Sequence, residues 1–248
     1  MQVTVAHLYP DYLNIYADRG NIAVLERRAR WRGVGFALVP VGIGDALPAN
    51  ADLIYVGGGQ DREQALVAED LAGRGPELID AVAQGAALLA VCGGYQLLGR
   101  SYRDRSGLEL TGVGLFPHTT VAGERRMIGD ILLDCALEPG EHRTLAGFEN
   151  HAGRTQLDEG AVPLGRVIAG FGNNGQDGYE GCRVGRALGT YLHGPLLPRN
   201  PWLADWLLGQ ALGRTLGDPP QLEPLGDGLE DRAHQVAAGR ARSRGGRY

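Results

Sequence analysis

The chain has 248 residues, enough for one large domain or two small ones with a substantial core. Its net charge of −5, with 21% charged residues, is ordinary for a soluble protein and argues against a general nucleic-acid binder. All 24 basic residues are arginine, which excludes any mechanism resting on a lysine, whether a Schiff base or a Walker-type phosphate loop.

The three cysteines, Cys92, Cys135 and Cys182, are widely spaced and form no Cys-x-x-Cys pair, so neither a zinc site nor a disulfide framework is expected. Met1 to Pro10 has no basic region and no long apolar core, and a cytoplasmic protein with reduced thiols is expected. Gln2 to Tyr9 reads as a short strand ended by Pro10. Gly20 and Asn21 suit a turn and an N-cap, and Ile22 to Trp31 then reads as an amphipathic helix with Arg27, Arg28 and Arg30 solvated. Phe36 to Val41 and Asp52 to Val56 are the next strands, the second running into Gly57-Gly58-Gly59-Gln60-Asp61. Helices are expected over Asp61 to Leu71 and Pro76 to Gln84.

Ala86 to Gly99 follows, and the chain is organised around it. Small and apolar residues run into Cys92, and Gly93 and Gly94 lead into a helix-compatible segment. A buried strand that turns sharply into a helix needs residues without bulk at the turn. The residue at the apex then projects into solvent with a strained backbone, near the positive end of the helix, where a thiol is favoured as thiolate. Residues 81–99 carry no charge and are long enough to span a bilayer, but Gln84, Gln96 and the glycines favour a strand, turn and helix in a soluble core. The alternation of short apolar strands with helices predicts an α/β fold, a mostly parallel twisted sheet flanked by helices. Reactive groups then belong at the C-terminal strand ends, where Gly57–Gly59 and Cys92 fall.

From Gly107 onward shorter strands are expected (Val113 to Phe116, Ile128 to Leu133, Val162 to Ala169, Gly178 to Val184) as an elaboration of the same sheet. Ala187 to Leu192 is strand-like and ends at His193-Gly194-Pro195. Pro201 to Leu212 reads as a helix whose Trp202 and Trp206 are core or interface anchors. Residues 1–212 thus form one domain, and 213–248 a flexible tail with at most a short helix near Leu229 to Ala238 and a basic end at Arg240, Arg242, Arg244 and Arg247. Of the six histidines, His193 sits at a strand end as Cys92 does, and is the candidate partner for a thiol nucleophile. His7 reads as a core residue, His118 and His142 lie in turn-rich stretches, and His234 lies in the tail. His151, after Phe148-Glu149-Asn150, is a candidate for a substrate pocket.

Ala90-Val91-Cys92-Gly93-Gly94-Tyr95-Gln96-Leu97-Leu98-Gly99 resembles the nucleophile elbow of class I glutamine amidotransferases in the cobyric-acid-synthase-like branch, and Gly189-Thr190-Tyr191-Leu192-His193-Gly194 resembles the matching histidine element. With Leu8-Tyr9-Pro10-Asp11, Tyr16-Ala17-Asp18-Arg19-Gly20-Asn21, Gly57-Gly58-Gly59-Gln60-Asp61 and Gly147-Phe148-Glu149-Asn150-His151, the set is similar to the glutaminase subunits of lipid II isoglutaminyl synthases, over residues Val3 to Leu212. The resemblance implies a flavodoxin-like fold and glutamine hydrolysis through a thioester on Cys92, with His193 as general base and acid. It implies backbone N–H groups near Gly58 and Gly93 as the oxyanion hole, and Arg126 (with Arg125 beside it), Gln96 and His151 toward the substrate. No cofactor is expected in this chain; the resemblance implies that ammonia passes to a Mur-ligase-like synthetase (MurT) that would carry ATP and Mg²⁺ and amidate lipid II. Pro195 stands where many relatives carry a glutamate two residues after the histidine, so His193 works in a dyad or borrows a carboxylate, with Glu149 as candidate. The same chemistry feeding another ATP-dependent synthetase, or a non-catalytic scaffold of a ligase, are the alternatives at this level.

Overall fold

The computed structural model describes residues 1–14 and 19–244, the last by its backbone alone. Of the motifs above, Tyr16, Ala17 and Asp18 lie outside the described residues, as does Arg247. In chain order the elements are β1 (Gln2–Leu8), α1 (Arg19–Trp31), β2 (Gly35–Val41), β3 (Leu53–Val56), α2 (Asp61–Gly73), α3 (Gly75–Ala83), β4 (Ala87–Val91) and α4 (Gly93–Leu97). Then come β5 (Ser101–Arg103), β6 (Glu109–Thr111), β7 (His118–Glu138), β8 (Glu141–Leu157), β9 (Gly165–Ala169), β10 (Tyr179–Glu180), β11 (Cys182–Val184) and β12 (Ala187–Thr190). A 3₁₀ turn at Leu197–Arg199, α5 (Pro201–Leu216) and α6 (Gly228–Arg244) complete the chain.

The first sheet has the order β11-β12-β4-β3-β1-β2, parallel throughout except for the β11–β12 pair. Its central strands β3 (Leu-Ile-Tyr-Val) and β4 (Ala-Leu-Leu-Ala-Val) are buried at every position. Continuous apolar runs of this kind mark strands covered on both faces, and the helices supply that cover. This is the α/β architecture expected.

A second sheet, β10-β9-β7-β5-β6 with β8 paired to β7, corrects the expectation that residues beyond 107 merely extend the first. Its spine is the long antiparallel pair of β7 and β8. No strand forms at Val113 to Phe116. The stretch Gly178 to Val184 splits at Gly181, whose φ of +65° breaks the extended path, so that β10 joins the second sheet and β11 the first. Paired backbone bonds between Phe148 and His193 (2.8 and 3.2 Å) stitch β8 to the end of β12.

The C-terminal segment is also corrected. Instead of a flexible tail, α6 lies on β7 and β8, with Ala237, Ala238 and Ala241 packed against Leu132 and Ala146. Alanines let the helix backbone approach closely, and His234 ties it down through Thr144 Oγ1 (2.8 Å) and the Arg199 carbonyl (3.0 Å). The connection preceding it is held by Arg28, which is buried rather than solvated. Its guanidinium grips Asp205 (2.6 and 2.7 Å) and Asp227 (2.6 and 2.8 Å) at once. Trp202 and Trp206, on α5, are half-buried and donate to Thr144 O and Glu138 Oε1. Among the described residues no helix is long and apolar enough to cross a membrane.

Candidate active site

Cys92 follows β4 directly and takes φ +50°, ψ −105°, one of two positive-φ non-glycine residues described. Backbone strain of this sort persists only where the surroundings impose it, and here they do. The Cys92 N–H donates to Thr190 O (2.8 Å) on β12, and the Cys92 carbonyl accepts from Gln96 N (2.9 Å) in α4. Gly93 and Gly94 are required on steric grounds. A Cβ on Gly94 would lie 2.7 Å from Val56 O and 2.8 Å from Gly57 O; one on Gly93 would lie 2.8 Å from Gly59 N. The Gly57–Gly59 loop therefore packs flush against the elbow, with Gly94 N donating to Gly57 O (3.0 Å) and Gln64 Nε2 bracing Gly59 O (3.1 Å). Gly58 and Gly93 thus lie just past the ends of the paired strands β3 and β4, and Gly59 of this loop lines the cavity that Cys92 borders.

Cys92 does not project into bulk solvent as the elbow pattern suggested. It is 5% exposed, and it lines a cavity of about 350 Å³. Gln96, Arg126 and His151 line the same space, so three of the expected substrate contacts converge on the thiol. Arg126 reaches it by an irregularity no sequence pattern announces. Between Ala122 and Met127 the β7–β8 register shifts, and residues 123–126 leave the ladder opposite Ala152 alone. Bulges re-aim side chains, and this one turns Arg126 onto Asn150, which accepts from Nε (2.7 Å) and, through its carbonyl, from Nη2 (2.6 Å). Arg125 is absent from the lining.

His151 is 1% exposed and stacks on Tyr191 (ring centroids 3.6 Å apart, 5° between planes). Its Nδ1 meets the Gly153 carbonyl (2.9 Å), and its Nε2 lies 3.7 Å from Glu149 Oε2. Burial lowers its pKa although Glu149 pulls the other way. Gln96 donates to Tyr191 Oη (3.2 Å), which also meets Thr155 Oγ1 (2.7 Å), giving the cavity a braced polar back wall. Cys135 and Cys182 are buried away from this cavity, and burial pushes each up to about 12. His118, buried edge-on against Tyr95, is pushed down to about 3 by burial and serves as a core aromatic.

His193 follows β12, the strand paired with β4 in register Thr190 to Val91, so the two candidate residues leave neighbouring parallel strands at the same, C-terminal end of the sheet, but His193 is not among the residues lining the Cys92 cavity. Its side chain borders a second cavity, of about 600 Å³, walled by Phe148, Pro195 and α6 residues including Ala233 and Val236. The Glu149 carboxylate accepts from Phe171 N (2.6 Å) and Gly172 N (3.0 Å) and faces His151. A second buried carboxyl, Glu180, holds Tyr191 N (2.6 Å) and Thr190 Oγ1 (3.0 Å) just ahead of His193, and burial pushes it up to about 8. Sequence reading missed Glu180, Gln64 and the cavity-lining Asp61 and Tyr102. Only Asp61 carried a signal, as the residue that ends the glycine-rich loop and opens α2.

Residues 4–201 match the CobB/CobQ-like glutamine amidotransferase domain. The chain is 39% identical over 241 residues to the subunit GatD of the lipid II isoglutaminyl synthase (glutamine-hydrolyzing) of Staphylococcus aureus strain N315, covering 97% of this chain and 96% of that protein. The likeness therefore runs past Leu212, where the motifs ended, and into α6. A cobyric acid synthase from Methylorubrum populi is 34% identical over 212 residues, but the match covers 80% of this chain and only 40% of that protein. Among solved structures, a chain in PurLQS from Thermotoga maritima superposes with a TM-score of 0.58 at 18% identity, covering 88% of this chain and 99% of that one, which speaks to fold alone. The elbow, the glycine loop and the matched span agree: the chain belongs to the CobB/CobQ-like glutamine amidotransferase family.

Proposed function

We propose that the chain hydrolyses L-glutamine at Cys92 and delivers the ammonia to a Mur-ligase-like synthetase (MurT), which uses ATP and Mg²⁺ to amidate the D-glutamate α-carboxylate of lipid II. The observation that carries the reading is the strained Cys92 elbow, flush against the Gly57–Gly59 loop on a cavity that also holds Arg126. The thiolate attacks the glutamine Cδ, and backbone N–H groups near Gly58 and Gly93 receive the charge that develops on the amide oxygen. His193 takes the thiol proton and returns it to the leaving ammonia; water then cleaves the γ-glutamyl thioester with His193 as base. Its origin on the strand beside β4 supports that role. Arg126 meets the α-carboxylate with its remaining nitrogen.

Near-complete coverage of the staphylococcal subunit, against less than half of a cobyric acid synthase, supports the lipid II pathway over another synthetase. Such a subunit works in the cytoplasm as one half of a heterodimer. With Pro195 where many relatives have an acid, the isolated chain is expected to be a weak glutaminase that its partner activates. The test is ammonia release from L-glutamine by the chain alone and with its synthetase, together with amidation of lipid II. Cys92→Ser should abolish release while circular dichroism is unchanged, and a glutamine-like chloroketone should add one adduct to the wild type and none to the variant. Release that survives the substitution would remove Cys92 from the mechanism, and equal rates with and without the partner would refute activation.

A further inference from the structure

The cavity in front of Cys92 is lined by charges of both signs, Arg126 and Arg62 against Asp61. Arg126 comes from the β7 bulge, and two of its three guanidinium nitrogens are taken by Asn150. Asp61, the first residue of α2, is the single carboxylate lining this cavity among the described residues. Its Oδ1 accepts from the phenol of Tyr102 at 2.7 Å, and Tyr102, 1% exposed on β5, lines the cavity too. Tyr102 is also the one hydrogen-bond partner that Asp61's side chain has among the described residues, so Oδ2 is left for a ligand. The remaining polar lining consists of glutamine amides, Arg62 and His151, whose pKa burial lowers.

A free amino acid brings an ammonium and a carboxylate on one carbon. A pocket that pairs only the carboxylate leaves the ammonium desolvated and unmatched, which is costly. We propose that Asp61, held in orientation by Tyr102, binds the α-ammonium of glutamine and makes the site selective for amides that carry an α-amino group. The inference rests on the glutaminase reading and extends it to a specificity-determining residue. A carboxylate reaching an ammonium through a charge-assisted bond separates substrates with and without that group by roughly 10- to 100-fold in kcat/KM.

The test compares ammonia release from L-glutamine and from glutaramate, which is glutamine without its α-amino group, using the chain assembled with its synthetase. The wild type should prefer L-glutamine by roughly 10- to 100-fold. Asp61→Asn should lose most of its rate with L-glutamine and little with glutaramate, bringing the ratio to within a few-fold. Tyr102→Phe should lower the ratio part of the way, through looser orientation of the carboxylate. An Asp61→Asn enzyme with the wild-type ratio overturns the inference, whether both rates persist or both fall together, since a structural role alone would move the two substrates equally. A wild-type complex that releases ammonia from neither amide overturns the glutaminase reading itself, and the inference with it.

Discussion

Glu180 is the group whose protonation most directly couples stability to pH. Its carboxyl is fully buried on β10, with Tyr191 N and Thr190 Oγ1 as partners and Glu149 close enough to oppose a second negative charge. Burial outweighs the bonds that favour the ionised form, so its pKa rises from an ordinary 4.5 to about 8. Above pH 4.5 the unfolded chain therefore releases this proton while the folded chain keeps it. The stabilisation is complete below pH 4.5 and is lost as pH rises toward 8. At about 1.4 kcal/mol per pH unit, the loss from this group between pH 5 and pH 7 is on the order of 2 to 3 kcal/mol. Glu180→Gln mimics the neutral acid: its amide donates to Thr190 Oγ1, its carbonyl accepts from Tyr191 N, and it cannot ionise. Urea midpoints of the two proteins across pH 5, 6 and 7 isolate the effect, because all other titrations are shared. The variant should gain on the wild type by roughly 2 to 3 kcal/mol over that range. Parallel curves, within about 0.5 kcal/mol, would mean that Glu180 is ionised in the folded protein and that its bonds outweigh its burial.

Two further substitutions probe the packing that positions the site. Arg28→Ala leaves Asp205 and Asp227 facing each other without their shared cation; a loss of about 3 kcal/mol in urea is expected, with new thermolysin cleavage in 217–227. An unchanged midpoint would show that the tail is held by α6 alone. Gly94→Ala drives a Cβ against the backbone oxygens of Val56 and Gly57, costing about 2 kcal/mol and moving the glycine loop off the thiol. Ammonia release should fall at least about tenfold, and a variant that keeps both stability and rate would refute the close contact of loop and elbow.

The strands and the elbow were legible in the chain because their signals are local. Leu53–Val56 and Ala87–Val91 are uninterrupted apolar runs, and a cysteine followed by two glycines after such a run leaves few conformations open. Other features were not legible, for reasons that differ. Arg28 reads like its neighbours on an amphipathic helix until two aspartates about 180 and 200 positions away close around it. Helix α6 is rich in alanine and charge and has almost no amphipathic pattern, so only its fit against Leu132 and Ala146 explains its place. The β7 bulge depends on register against a partner strand, which no single-strand pattern encodes.

By itself, then, the sequence determined the parallel sheet, the nucleophile turn and the strand-end position of His193, because backbone sterics and side-chain periodicity act over a few residues. Tertiary structure alone decided that the thiol lies in a cavity, that Arg126 and Asp61 face it from separate elements, and that the last helix walls the space beside His193. Those arrangements depend on contacts between segments far apart in the chain, where burial and charge pairing choose among placements that local propensity leaves equal.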